Sequence, residues 1–310
     1  IIGKMIDFGY FYNINYFTVD YNYFLHPVTS YDVYDKLKRK IEQDYTHNGE
    51  KVIFISYDQG TSFTSIFLSN YSRSEWVKQY IDSVIFLDPT FAGLSTISHL
   101  YSQSLYPFIS NDEFIKSLMK MPGLHIRLPN YAIYENFSIN YENKIYPFNA
   151  SHVFEFLKEH GKVDDESELI FKAEAEKYLK VPVPEPPIPS LIIFNDVKSQ
   201  TVNRQLITFF NDSKNEPFSP EGSLYACAKW RTVKCLSIHP DRNQSSILQS
   251  QQATDAIIDH IKERNLNKDF KKINRETIYK DNKEMIHKDK NNKVKDNSRE
   301  TIYKDNNEMI

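Results

Sequence analysis

Asp58 stands in the stretch VIFISYDQGT (52–61), where an apolar run ends at a tight turn and a helix-compatible segment follows. Ser56 and Gly60 flank it two residues before and two after, the spacing of a nucleophile elbow, G-x-S-x-G. Such a turn lifts its central side chain above the carboxyl end of a buried strand. A serine there needs a base to take its proton. An aspartate attacks directly and forms an ester that activated water must then cleave. Three readings are open at this point: a hydrolase with a carboxylate nucleophile, a hydrolase that has lost its chemistry, or an accidental turn.

Holding Asp58 in place requires a parallel sheet with helices on it. Val33, Leu37 and Ile41 recur at four-residue spacing behind Ser30, which predicts an amphipathic helix over about 31–45. Lys51–Ser56 and Asp82–Leu87 read as short, continuously apolar strands, the kind buried on both faces of a parallel sheet. Helices over Thr61–Ser69 and Glu75–Tyr80 fit between them. This order predicts an α/β fold, a mostly parallel sheet flanked by helices, with ligands beyond the carboxyl ends of the strands.

From about residue 94 the strand signal fades, and helical pieces at Asp112–Met119, Ala150–Lys158 and Ser167–Leu179 predict a cap insertion over about 94–185. The stiff segment VPVPEPPIPS then leads into a strand at 191–194. A weaker strand over Thr232–Ile238 and a helix over Gln252–Arg264 complete a domain expected to span 1–264. In the tail, 265–310, RETIYKDNKEMI (275–286) recurs as RETIYKDNNEMI (299–310). That composition buries too little apolar surface to offset chain entropy, so a disordered tail is expected. Two copies are too few for a solenoid.

With 40% apolar residues the chain can bury one large core, and a net charge of −3 argues against a nucleic-acid partner. No run of 18 apolar residues exists, so no spanning helix is expected. Cys227 and Cys235 can form one disulfide in an oxidising compartment but have no further ligands nearby for zinc. Neither a phosphate-binding glycine loop nor an H-x-x-x-H pair is present, and no cofactor or metal is expected. Five N-x-S/T sequons, at Asn70, Asn136, Asn149, Asn211 and Asn243, point only slightly towards a secreted history.

The segments YDKLKRKIEQDYTHNGEKVIFISYDQG, WVKQYIDSVIFLDPTFAGL, MPGLHIRLPN, FNASHVFEFL, LIIFNDVKSQT and SSILQS follow one another over about residues 8–260. Together they resemble the lecithin:cholesterol acyltransferase family, α/β-hydrolase-fold enzymes that move or hydrolyse phospholipid acyl chains. The resemblance implies a Ser-Asp-His triad. Asp58 holds the place of its serine, Asn215 in KNEPFSPEG the place of its acid, and Gln244 in NQSSILQS the place of its histidine. An amide cannot stabilise an imidazolium as a carboxylate does; in the serine-protease triad that exchange costs roughly 10⁴ in turnover. Glutamine does not titrate near neutral pH and cannot shuttle a proton.

The family's oxyanion loop has no visible counterpart, so a start truncated after that loop is expected. His239 is the nearest substitute base, Asp88 a substitute acid, and Ser62 and Ser65 the nearby hydroxyls; packing or surface roles suit both serines better. The resulting expectation is a catalytically inactive family member of lipid metabolism. A capped fold of this kind keeps an apolar pocket, so a lipid-binding or protein-interaction role is expected, with a phospholipid or fatty acyl chain as the ligand; the resemblance implies a secreted, lysosomal or vacuolar compartment. Three alternatives stay open: an active acyltransferase or phospholipase, a hydrolase using Asp58, and a remnant with a collapsed pocket.

Overall fold

The helix–strand alternation expected from the sequence is present in the computed structural model. It describes residues 2–91, 93, 117, 120–128, 130, 132–133, 136–141, 144–149, 158–159, 163–195, 208–211, 216–217, 221–238 and 247–265. A short helix, α1 (Ile2–Asp7), precedes the long amphipathic α2 (Tyr31–Asn48). α2 runs three residues past the expected end because its stop signal is Gly49. That residue takes φ 68° and donates its N–H to Tyr45 O at 2.8 Å, a left-handed cap that glycine adopts without a Cβ clash. β1 (Val52–Tyr57), α3 (Gln59–Ile66) with a π turn at Phe67–Tyr71, α4 (Ser74–Tyr80) and β2 (Ile81–Leu87) follow.

Between 94 and 185, where helical pieces were expected, the described residues also include strands. After α5 (Pro122–His125) come two strands, β3 (Asn136–Tyr141) and β4 (Lys144–Asn149), paired as an antiparallel hairpin. Helical structure resumes at α6 (Asp165–Ile170), a π turn (Phe171–Ala175) and α7 (Glu176–Leu179). β5 (Ser190–Asn195) returns to the main sheet, and β6 (Thr208–Asn211) and β7 (Glu216–Pro217) extend the second one. Then come α8 (Glu221–Lys229), β8 (Val233–Ile238) and, last among the described residues, helix α9 (251–265). The expected helices at Asp112–Met119 and Ala150–Lys158, and the tail 265–310, fall almost wholly outside the described residues.

The main sheet has the order β1-β2-β5-β8 and every pairing is parallel, with Ser56 beside Phe86, Leu87 beside Ile193 and Ile193 beside Leu236. A second, antiparallel sheet has the order β4-β3-β6-β7. β2 is the central apolar element: Val84, Ile85, Phe86 and Leu87 are all buried. Tyr34, Leu37 and Ile41 of α2 and Phe63 and Phe67 around α3 join Val84, Phe86 and Ile192 in one core. Full burial stabilises by about 1.5–3 kcal/mol for each large apolar side chain. Cys227 of α8 and Cys235 of β8 are joined by a disulfide. The chain divides into two compact units, Ile1–Ile258 and Asp259–Ile310.

The proline-rich segment before β5 is held by side chains on both sides. Ser65 donates to Pro184 O at 2.5 Å and Ser69 to Glu185 O at 3.2 Å. The Glu185 carboxylate accepts from Arg231 N at 2.7 Å, Thr232 N at 2.8 Å and Thr232 Oγ1 at 3.0 Å, which ties this segment to the entry of β8. Hydrogen bonds to a charged acceptor contribute about 1.5–3 kcal/mol when intact. Glu185→Ala is therefore expected to lower unfolding stability by about 1.5 kcal/mol in urea denaturation, with Glu185→Gln recovering at least half. Equal midpoints for wild type and Glu185→Ala would contradict this.

Candidate functional site: an arginine-held aspartate in the elbow

Asp58 follows β1 and opens α3 with φ 49° and ψ −124°. Positive φ alone would suit an aspartate in the left-handed helical well, but this ψ lies outside that well. The turn is therefore strained, by an amount on the order of 1–3 kcal/mol. The neighbouring backbone holds it in that conformation. Asp58 N donates to Leu87 O at 3.2 Å, and Thr61 caps the turn by donating N and Oγ1 to Asp58 O at 3.0 and 2.5 Å. Ser56 is buried and hydrogen-bonded to Thr64 Oγ1 at 2.7 Å, joining β1 to α3.

The Asp58 carboxylate faces a cation that local sequence did not indicate. Arg127 Nη2 donates to Asp58 Oδ2 at 2.8 Å and to Gln59 Oε1 at 3.4 Å. The aspartate side chain is 34% exposed and the arginine 20%, so water screens this pair less than one on an open surface. Gln59 is buried, and its Nε2 donates to Tyr23 O and Gly123 O, both at 2.9 Å. Gly123 N donates in turn to Phe24 O at 2.7 Å. The elbow, the 21–26 segment and α5 are thus tied at one point. Tyr21 lies stacked on Phe63 at 4.3 Å, and its phenol is raised in pKa by burial first and by the Asp58 charge second, with Arg127 opposing.

The other sequence candidates sit as follows. Asn215, Gln244 and His239 lie outside the described residues. Asp88 follows β2 with φ 42° and donates its N–H to Ile193 O at 2.9 Å. Ser62 and Ser65 are buried within α3, and Ser65 is bonded to Pro184 O. Among the described residues no group of three or more His, Cys, Asp or Glu is placed to hold a metal ion. No helix among them is long and apolar enough to cross a membrane. Arg127 is the residue that sequence reasoning missed. It lies 69 positions from Asp58, and the one available signal was the unpaired carboxylate itself, which needs a cation when partly buried.

Chemically, a guanidinium on Oδ2 forms a charge-assisted hydrogen bond and draws electron density from the oxygen that would attack. Arginine keeps its proton at every physiological pH and cannot act as the base that a serine or a water needs.

The family model described as lecithin:cholesterol acyltransferase matches residues 1–303. No curated protein matches the chain. Among solved structures, phospholipase PlaB from Legionella pneumophila is 12% identical over 66% of this chain, at a TM-score of 0.32. The match spans 37% of that phospholipase. A monoacylglycerol lipase from Paleococcus ferrophilus is 13% identical over 74% of each chain, at a TM-score of 0.29. A bromoperoxidase from Bacillus anthracis is 12% identical over 72% of this chain and 68% of its own, at a TM-score of 0.26.

Proposed function

We infer, for a chain that belongs to the lecithin:cholesterol acyltransferase family, that it binds a phospholipid or fatty acyl chain without turning it over. The family is one of acyltransferases and hydrolases of lipid metabolism. The observation that carries the inference is the ion pair at the elbow: Asp58, in the strained turn, is held by Arg127 at 2.8 Å. Acyl transfer through this turn needs a hydroxyl or a free carboxylate to attack and a titrating base to move a proton. The pair supplies neither. The resemblance adds two amides, Asn215 and Gln244, in the places of the acid and the histidine.

A fluorophosphonate probe, which marks activated serines, is expected to leave the protein unlabelled, and short-chain acyl esters are expected to turn over at background rate. Labelling or turnover above background overturns the inference. Native mass spectrometry of protein incubated with fatty acid or phosphatidylcholine is expected to retain one lipid. A protein that retains none is the remnant with a collapsed pocket.

The strained turn also favours a second reading, Asp58 as a covalent nucleophile. Single-turnover reaction with an alkyl halide or epoxide in heavy-oxygen water would then form an Asp58 ester, and its hydrolysis at the Asp58 carbonyl would place the label in that carboxylate. An unlabelled carboxylate sinks that reading.

A further inference from the structure

Residues 8–19, FGYFYNINYFTV, contain no charged side chain, and the structure folds their first part into a braced loop with an apolar tip. Gly9, at φ 83°, turns the chain out of α1, and Asn13, at φ 60°, turns it back. Asn15 ties the two sides together: its Oδ1 accepts from Phe11 N at 2.6 Å and its Nδ2 donates to Gly9 O at 2.8 Å. Asn13 N donates to Tyr16 O at 2.8 Å, and the rings of Tyr12 and Tyr16 meet at 5.4 Å. Both ends are anchored, by Met5, which is buried, and by Phe17 and Val19, which pack against the core. Ile14 at the tip is 76% exposed, Tyr12 54% and Phe11 48%. Such a loop has lost its conformational freedom before meeting any partner, and it holds its apolar side chains away from the core.

We propose that this loop is a docking element that inserts Phe11, Tyr12 and Ile14 into a neutral or zwitterionic lipid surface. Three features select lipid as the occupant. The inserting stretch carries no charge that would have to be desolvated. Tyrosine has an apolar ring and a polar tip, which suits the boundary between acyl chains and headgroups. The stretch is flanked by carboxylates, Asp7 and Asp20; of the cations beside it, Lys4 precedes Asp7 by three residues in α1, and Lys40, over the Phe17 ring at 5.2 Å, is itself paired with Asp44 at 2.6 Å. An anionic surface would repel those carboxylates, whereas a zwitterionic one would not. The proposal stands on the loop alone and does not depend on whether Asp58 has chemistry.

The test is co-sedimentation of the whole chain with phosphatidylcholine vesicles, and with vesicles containing phosphatidylserine. Binding to phosphatidylcholine is expected, with no gain from phosphatidylserine. Withdrawing one large apolar side chain from the lipid weakens partitioning by roughly 10–100-fold, so Ile14→Asp and Phe11→Ser should each lose at least tenfold. Ile14→Leu should retain binding. Unchanged denaturation midpoints would show that these exposed substitutions leave the fold intact. Four results overturn the proposal: no binding to phosphatidylcholine, binding that Ile14→Asp does not weaken, binding that requires phosphatidylserine, or lipid-free self-association that Ile14→Asp abolishes. None of them bears on the probe experiment at the elbow, and labelling there leaves this proposal untouched.

Discussion

Gly123→Ala is expected to destabilise the fold by about 3 kcal/mol or more, at the upper end of the range for overpacking a close-fitting interior. A Cβ at this position would lie 2.1 Å from Tyr23 O, 2.7 Å from Leu25 O and 2.7 Å from Phe24 C. All three are backbone atoms, so no side chain can swing aside to relieve the clash. The same contact carries the hydrogen bond from Gly123 N to Phe24 O, and Gln59 donates to Tyr23 O and Gly123 O at once. Separating the two backbones would strand a buried amide and shift Arg127, four residues on, away from Asp58. Urea denaturation is the measurement, with Gly3→Ala as the control because nothing lies within 4 Å of its Cβ position. If both variants unfold at the wild-type midpoint, the close contact drawn here is wrong.

Acidification is expected to remove roughly 3 kcal/mol of stability through His26. This side chain is fully buried, its ring stacks on Tyr178 at 4.4 Å, and its Nδ1 accepts from Val28 N at 3.2 Å. Its pKa is lowered from 6.5 to about 4, by burial first, then by repulsion from the neighbouring His125 of α5 and Lys177 of α7. Between those values the unfolded chain binds a proton that the folded chain refuses, so stability rises with pH across the window. The contribution is complete above about pH 6.5 and is lost as pH falls towards 4. A difference of about 2.5 units corresponds to roughly 3 kcal/mol. His26→Asn keeps an acceptor for Val28 N but cannot titrate. It should flatten the fall in denaturation midpoint between pH 7 and about pH 4.5. A variant whose acid sensitivity matches wild type would place the titrating group elsewhere.

Local sequence determined the main sheet and its turn. Both runs became strands of one parallel sheet; DSVIFL lies within β2, which is buried on both faces as expected, whereas VIFISY forms β1, whose Ile55 and Tyr57 are exposed, because burial of the second face is set by packing and not by the run itself. Ser56 and Gly60 allow the sharp turn between β1 and α3, and the four-residue apolar spacing of α2 fits the helical period. The antiparallel hairpin was not legible. NFSINY and KIYPFN carry asparagines and a proline that weaken a strand signal, and their pairing is set across the gap rather than within either segment. Arg127 was hidden for a related reason. The sequence placed a carboxylate at the end of a strand, but a charge pair depends on distance in space, and the arginine arrives on a segment with no periodic relation to β1. Only folding the 21–26 segment and α5 onto Gln59 brings the guanidinium within 2.8 Å, and that proximity decides whether Asp58 stands free to attack or is held as half of an ion pair.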